Sequence, residues 1–300
     1  MNKFKISSLS PQPLVIILAI AALIGVPLRT FQLLNCIDPK TGFWLVEDFT
    51  VPLLYALCVL IAVIALGMSF FSGIMPTSEF SEKRNIPMGV ASIFFTLSFL
   101  IDAISQMGTY ITIFGNYVAE QHTSFFSYMV SSGSLALTLQ SIFGLLAAFY
   151  FALVAFSSFL GNNNYAKTKV LALTPVIWGV CRMIYFFANP ISYRNVSQIL
   201  LEMGTLTFAL MFFLSFARIA SKVNEERSMW ILWFSGISGA FFGYISALAP
   251  FILMITGKGA FIAQEYPIQY TDLIFAIFAT IVLLSNLPRT IKANTENVGA

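Results

Sequence analysis

The chain has 300 residues, of which 58% are hydrophobic and only 10% charged, with a mean hydropathy of +0.84. Soluble domains carry about a quarter charged residues, so this composition excludes an ordinary soluble protein and places the chain in a bilayer. The net charge of +3 comes from Lys and Arg scattered among short polar stretches, which excludes a nucleic-acid surface.

Lys3 and Lys5 precede an apolar run at 14–28, as in a signal peptide, but no small-residue cleavage site comes before Arg29. The run therefore reads as a first spanning helix. Eight apolar segments follow one another at about 13–34, 49–71, 87–114, 135–159, 170–187, 199–220, 229–256 and 271–287. Each is near the ~20 residues that a helix needs to cross, and far longer than the ~10-residue alternation of a barrel strand. The breakers between them are Asp38-Pro39, Gly161 with Asn162 to Asn164, Asn189-Pro190, and Gly257-Lys258-Gly259. The expected fold is all-α: a polytopic membrane protein of eight spans forming one transmembrane domain over 1–300.

Basic residues set the orientation. The N-terminus, alternate loops and the C-terminus hold Lys3, Lys5, Lys83, Arg84, Lys167, Lys169, Arg218, Lys222, Arg227, Arg289 and Lys292. The other loops hold only Lys40, Arg194 and Lys258. Both termini are therefore expected on the cytoplasmic side of a cell (inner) membrane. Asn195-Val196-Ser197 matches a glycosylation acceptor on the outer side. The compact loops suggest a bacterial protein, in which that match has no meaning.

A short skeleton recurs. Arg29, Gln32, Asn35 and Asp48 are echoed by Arg182, Tyr185, Asn189 and Glu202, and each acid lies thirteen residues after its asparagine. This divides the chain into halves, 1–165 and 166–300, with the same orientation, related by an axis along the membrane normal. Chance similarity explains so short a match equally well.

The rise of ~1.5 Å per residue places the charges in depth. Arg29 lies about 24 Å beyond Pro13, Asp102 about 22 Å beyond Pro87, and Arg182 about 18 Å beyond Val170. Glu202 and Asp272 begin helices that start outside, so all five fall in the outer half. Stretches 15–26, 59–67 and 275–284 of the inner half carry no charge.

In the third segment Ser98, Asp102, Gln106 and Thr109 share one helical side, with Phe94, Phe95, Phe99 and Leu100 covering the others. A stripe carrying an acid points into the bundle, and Arg29 or Arg182 is the expected counter-ion of Asp102. Blander roles compete. Asp48 and Asp272 sit where helix N-caps are needed, Arg29 could snorkel to the headgroups, and the deeper charges could form a structural ion pair.

Ser235, Gly239, Gly243 and Ala247, like Gly144, Ala148 and Ala152, recur every four residues and read as packing seams, with homo-oligomerisation as the alternative. Trp44, Phe125, Phe126, Tyr128, Trp230 and Trp233 suit interfacial belts, although Trp44 beside Thr41-Gly42 could also stack on a ligand.

Chemistry is constrained by what is missing. There is no phosphate loop, HExxH, nucleophile elbow, intramembrane aspartate pair or helix-borne lysine. The three cysteines, Cys36, Cys58 and Cys181, form no disulfide or zinc pattern, and the one histidine, His122, reads as a loop residue. No cofactor, metal ligand or catalytic residue is expected. The reading is a protein that binds or transports a small polar or anionic solute through an outward-facing pocket, held by Arg29, Asp102, Gln106, Arg182 and Glu202. The alternative is a non-transporting receptor, immunity factor or accessory subunit around a structural ion-pair core. Expected partners are the bilayer, the solute, and a second copy or partner subunit.

Overall fold

The computed structural model describes residues 12–40, 42–45, 48–71, 84–115, 117, 124–188, 196–262 and 268–298, with backbone alone for 188, 196, 226 and 286–298. Lys3, Lys5, Thr41, Lys83, His122, Arg194, the Asn189-Pro190 turn and the acceptor Asn195 lie outside the described residues. The fold is all-helical. In chain order run α1 (Gln12–Asn35), α2 (Thr50–Phe71), α3 (Ile86–Gly115), the short α4 (Phe125–Ser131), α5 (Ser134–Leu160), α6 (Thr174–Ala188) and α7 (Val196–Ala220). Then come α8 (Glu225–Gly243), which passes through a π-helical turn, Tyr244–Leu248, into α9 (Ala249–Ile255), and finally α10 (Tyr270–Val298).

Six helices are long and apolar enough to cross a membrane: α1, α2, α3, α5, α7, and α8 continued through α9. Two shorter apolar helices span Leu171–Phe187 and Tyr270–Ser285. This is the build of a multi-pass membrane protein. Large apolar side chains such as Leu23, Ile104 and Phe187 point outward, where acyl chains rather than water would meet them.

Local chemistry ends the helices where it should. Asn85 caps α3 by accepting from the Met88 N–H at 3.1 Å, with Pro87 in the first turn. α5 stops at Gly161, whose φ of 69° suits glycine, and a Cβ there would lie 2.9 Å from the Arg84 nitrogen.

α3, α5, α7 and α10 converge on a buried aromatic core of Phe95, Phe99, Phe151, Phe212, Phe213, Phe216 and Phe278. Phe95 and Phe99 are therefore not on the lipid-facing sides of α3, as the sequence suggested. They share the inner face with Ser98 and Asp102, while Phe94, Leu97, Ile101 and Ile104 face out. The physical reason is that a membrane bundle is apolar on both sides, so hydrophobicity does not tell its inside from its outside.

Glycines allow the closest helix pairs. A Cβ on Gly243 would meet the Asp272 carbonyl oxygen at 2.9 Å, and one on Gly239 would meet the Phe275 ring at 2.9 Å. The small-residue seam of α8 is thus used within the chain, against α10.

Candidate functional site

All five intramembrane charges are buried, with relative exposures of 1% for Arg29, 9% for Asp102, and 3% each for Arg182, Glu202 and Asp272. They belong to one polar cluster in the half of the bundle that contains the C-terminal part of α1 and the first turns of α7 and α10.

Asp102 lies beside no arginine at hydrogen-bond distance. Its Oδ2 accepts from the Trp178 indole N–H at 2.8 Å and from the Gln140 amide at 3.2 Å, and Oδ1 accepts from Gln106 at 3.4 Å. Three neutral donors on α6, α5 and α3 thus hold this carboxylate, which corrects the expected pairing with Arg29 or Arg182. Gly144 leaves room for the indole, with its Cβ position 3.3 Å from a Trp178 ring carbon.

Arg182 pairs with Asp272 instead. Nη1 donates to Oδ1 at 2.6 Å and Nη2 to Oδ2 at 3.1 Å, a bidentate fork, and Nη1 also lies 3.4 Å from the Thr271 hydroxyl. The guanidinium carbon sits 5.6 Å from the Trp178 ring centre and 5.7 Å from that of Phe186. The guanidinium is thus held by the carboxylate and flanked by two aromatic rings. Asp272 is the third residue of α10, not its N-cap. An acid in the first turn favours the helix dipole wherever its side chain points, so that position alone does not reveal the Arg182 partner.

Arg29 does not snorkel. A Cβ on Gly25, one turn earlier, would lie 3.1 Å from Phe241, so α1 runs close to α8 and the arginine reaches across to α7. Nη2 donates to Gln198 Oε1 at 3.2 Å and to the Ser197 hydroxyl at 3.4 Å, and Nη1 to Gln32 Oε1 at 3.4 Å. Gln32 in turn donates to the Thr50 carbonyl at 2.7 Å, tying α1 to the start of α2. Among the described residues no carboxylate is bonded to Arg29, and its Nε–H has no partner.

Gln198 connects this arginine to Glu202. Its amide nitrogen donates to Glu202 Oε1 at 2.9 Å and to the Ser246 carbonyl at 2.9 Å, while its oxygen accepts from Arg29. These three bonds fix the amide orientation, since a flipped amide would set oxygen against oxygen twice. The Ser246 carbonyl is free because Pro250, four residues on, has no N–H to offer it. The π-turn over Tyr244–Leu248 relieves the same proline. Glu202 Oε2 is buried without a hydrogen-bond partner. Glu202 also lies within electrostatic reach of Asp272, Arg182 and Arg29.

The cluster is closed on two sides. The aromatic core lies toward the N-terminal half of α3 and the C-terminal part of α7. On the other side Val26, Leu33, Ile37, Ala249 and Leu253 pack with Trp44, held by an antiparallel bridge between Ile37 and Trp44. Trp44 thus serves as apolar cover in the loop after α1. In that loop Asp48 accepts from the Thr50 N–H at 3.3 Å and from the Cys36 thiol at 3.2 Å, which matches its expected role at the start of α2.

The two halves of the repeated skeleton have unlike surroundings: Arg182 faces a carboxylate and Arg29 faces amides and a hydroxyl. Gln106, only partly buried, is the outermost of the expected residues in the cluster, and Thr109 turns back to the Ser105 carbonyl. Among the described residues no three His, Cys, Asp or Glu side chains gather as a metal site. In comparisons with known proteins the chain matches no protein-family model, no curated protein and no solved structure.

Proposed function

We propose that this protein binds a small polar or anionic solute from the extracytoplasmic side, at Arg29, Gln198 and Glu202, and transports it or reports its presence. One observation carries the reading. Two charged side chains bridged by one amide each keep a buried polar atom unpartnered, Arg29 Nε and Glu202 Oε2. Leaving such groups bare costs about 1–3 kcal/mol each, and more for charges, so a ligand that supplies an acceptor to Nε–H is strongly favoured there. Arg29 is the anchor because its hydrogen bonds all go to neutral groups. Arg182 is already neutralised by Asp272 and, like Asp102 with its three donors, builds the wall of the site.

The chain crosses eight times, the two shorter apolar helices completing the six long ones. Both termini are cytoplasmic, in line with the basic-residue count, in the inner membrane of a bacterium. The two halves, 1–165 and 166–300, each contribute one arginine to the cluster, Arg29 to the site and Arg182 to its wall. The bilayer and the solute are its partners, and no cofactor is needed.

The buried phenylalanines beneath the cluster favour a second reading, in which the protein captures solute without moving it and serves as a receptor or accessory subunit. A carrier would have to part those rings to open a path inward.

A thermal-stabilisation screen of anionic, zwitterionic, neutral and cationic small solutes on the purified protein tests the site. An effective solute should lose its effect in Arg29→Lys and Gln198→Ala and keep it in Lys258→Ala. A solute that stabilises all four proteins equally places the site elsewhere. Flux assays with that solute in proteoliposomes then separate transport from capture.

A further inference from the structure

We infer that Glu202 is a proton-binding site, taking a proton from the extracytoplasmic water onto Oε2 and returning it there. This deepens the solute-binding reading by naming the ion that shares the cluster, but its geometry stands without any solute.

The cluster holds three carboxylates, Asp102, Glu202 and Asp272, against two guanidiniums, Arg29 and Arg182. With all of them ionised it carries one uncompensated negative charge among buried side chains. The three acids are not equally supported. Asp272 has a bidentate arginine and Asp102 has three N–H donors. Glu202 has one neutral donor, on Oε1, and a bare Oε2. A carboxylate so placed lowers its free energy by accepting a proton, because burial disfavours the charged form. The site of protonation follows from the amide. Gln198 Nε2–H already points at Oε1, so only Oε2 can carry hydrogen without two hydrogens facing each other.

The groups that face Glu202 set the balance. From α1 comes Arg29, from α6 Arg182, and from α10 Asp272, two cations and one further acid. Its own helix contributes Gln198. The π-turn contributes Ser246, and its Tyr244 hydroxyl is engaged with Thr280 at 3.0 Å. A metal cation is a poorer occupant than a proton. It would need several oxygen ligands and would meet two guanidiniums within electrostatic reach of Glu202, with the Ser246 carbonyl already accepting from Gln198. One proton from hydronium joins the carboxylate and leaves a water molecule, with no co-reactant. Protonation brings the cluster to neutrality and removes the negative charge that competes for Arg29, so an anionic solute and a proton bind together.

Infrared difference spectroscopy of the solute-free protein in lipid, titrated from mildly alkaline to mildly acidic pH, reads this directly. A protonated-carboxyl carbonyl band should grow reversibly. It should shift when glutamate carboxyls are labelled with carbon-13 and not when aspartates are. Among the described residues Glu202 is the one glutamate in a candidate span, so the label separates it from Asp102 and Asp272 without mutation. Glu202→Gln should abolish the band, and Gln198→Leu, which removes the donor to Oε1, should move its appearance to higher pH. No such band at any pH, a band that follows aspartate labelling, or one that survives Glu202→Gln overturns the inference. Because no solute is present, these outcomes leave the solute screen as a separate test.

Discussion

Replacing Asp272 by Asn leaves the Arg182 guanidinium buried with no carboxylate at hydrogen-bond distance, since the two bonds of 2.6 and 3.1 Å both go to Asp272. Breaking one partner of a buried pair costs about 3–5 kcal/mol, whereas replacing both by apolar residues of similar volume is often neutral or favourable. Arg182→Met also loses the contacts with Trp178 and Phe186, at about 0.5–2 kcal/mol. Asp272→Asn should therefore destabilise by about 3–5 kcal/mol, and combining it with Arg182→Met should recover most of that loss. At about 2 °C per kcal/mol for a chain of this size, the single variant should melt about 6–10 °C below wild type in detergent. A double-mutant cycle for Asp272 and Arg182 should give a coupling above about 3 kcal/mol, because each single change leaves a buried charge unpaired and the double change does not, and the cycle for Asp102 and Arg182 less than about 1 kcal/mol. Additive effects at Asp272 and Arg182, or a larger coupling at Asp102, would refute the assigned pairing.

Other outcomes follow from single contacts. Gly243→Ala should destabilise by about 1–3 kcal/mol, because its Cβ meets the backbone carbonyl of Asp272, whereas Gly67→Ala, with nothing within 4 Å, should be neutral or slightly stabilising in the same melts. Pro250→Ala restores an N–H for the Ser246 carbonyl, so hydrogen exchange across the π-turn should slow and solute affinity at Gln198 should fall; unchanged exchange would refute the proline account. Burial, then the Asp48 carboxylate, push the Cys36 thiol up, and the thiol, then the Thr50 N–H, hold Asp48 below the usual carboxylate range. The thiol form is thus favoured through neutral pH and lost only as pH rises through its raised value, while the Asp48 contribution is lost as pH falls. Cys36 should therefore alkylate slowly at mildly alkaline pH, and faster in Asp48→Asn; an unchanged rate counts against the contact. Single cysteines at Lys40 and Lys258 should react with an impermeant reagent from outside, and those at Lys167 and Arg227 should not; reversal at either pair would exclude eight crossings with cytoplasmic ends.

The burial of the polar cluster was legible because charge deep in an apolar run is costly in lipid and is favoured among polar groups. Arg29, Asp102, Arg182 and Glu202 carry that signal, with Gln106 on the same side of α3 as Asp102. Their partners do not follow from it, since three acids and two arginines at similar depth allow several pairings and helix order around the bundle is not encoded in depth. Gln198 and Gln140, which hold the carboxylates, and Trp178, which does the same through its indole, are neutral and carry no signal of that kind. Two signals were present: Gln198 lies four residues before Glu202, and Trp178 lies four before Arg182, each pair on one helical side. The spacing of Ser246 and Pro250 likewise marked the freed carbonyl, but only the structure brings α7 beside it. The inward turn of Phe95 and Phe99 was hidden for a simpler reason, because lipid and protein interior attract the same side chains.

The central claim is that the buried cluster at Arg29, Gln198 and Glu202 is reached by solute from the extracytoplasmic side. Ser197→Cys is nearly isosteric and stands beside Arg29, at the rim between α1 and α7. In a background with Cys36, Cys58 and Cys181 replaced, it should react with a small charged thiol reagent added to the extracytoplasmic face of sealed vesicles. It should not react when the reagent is confined to the other face, and a stabilising solute should slow the reaction. Labelling only from the cytoplasmic face, or none from either face, would contradict the account.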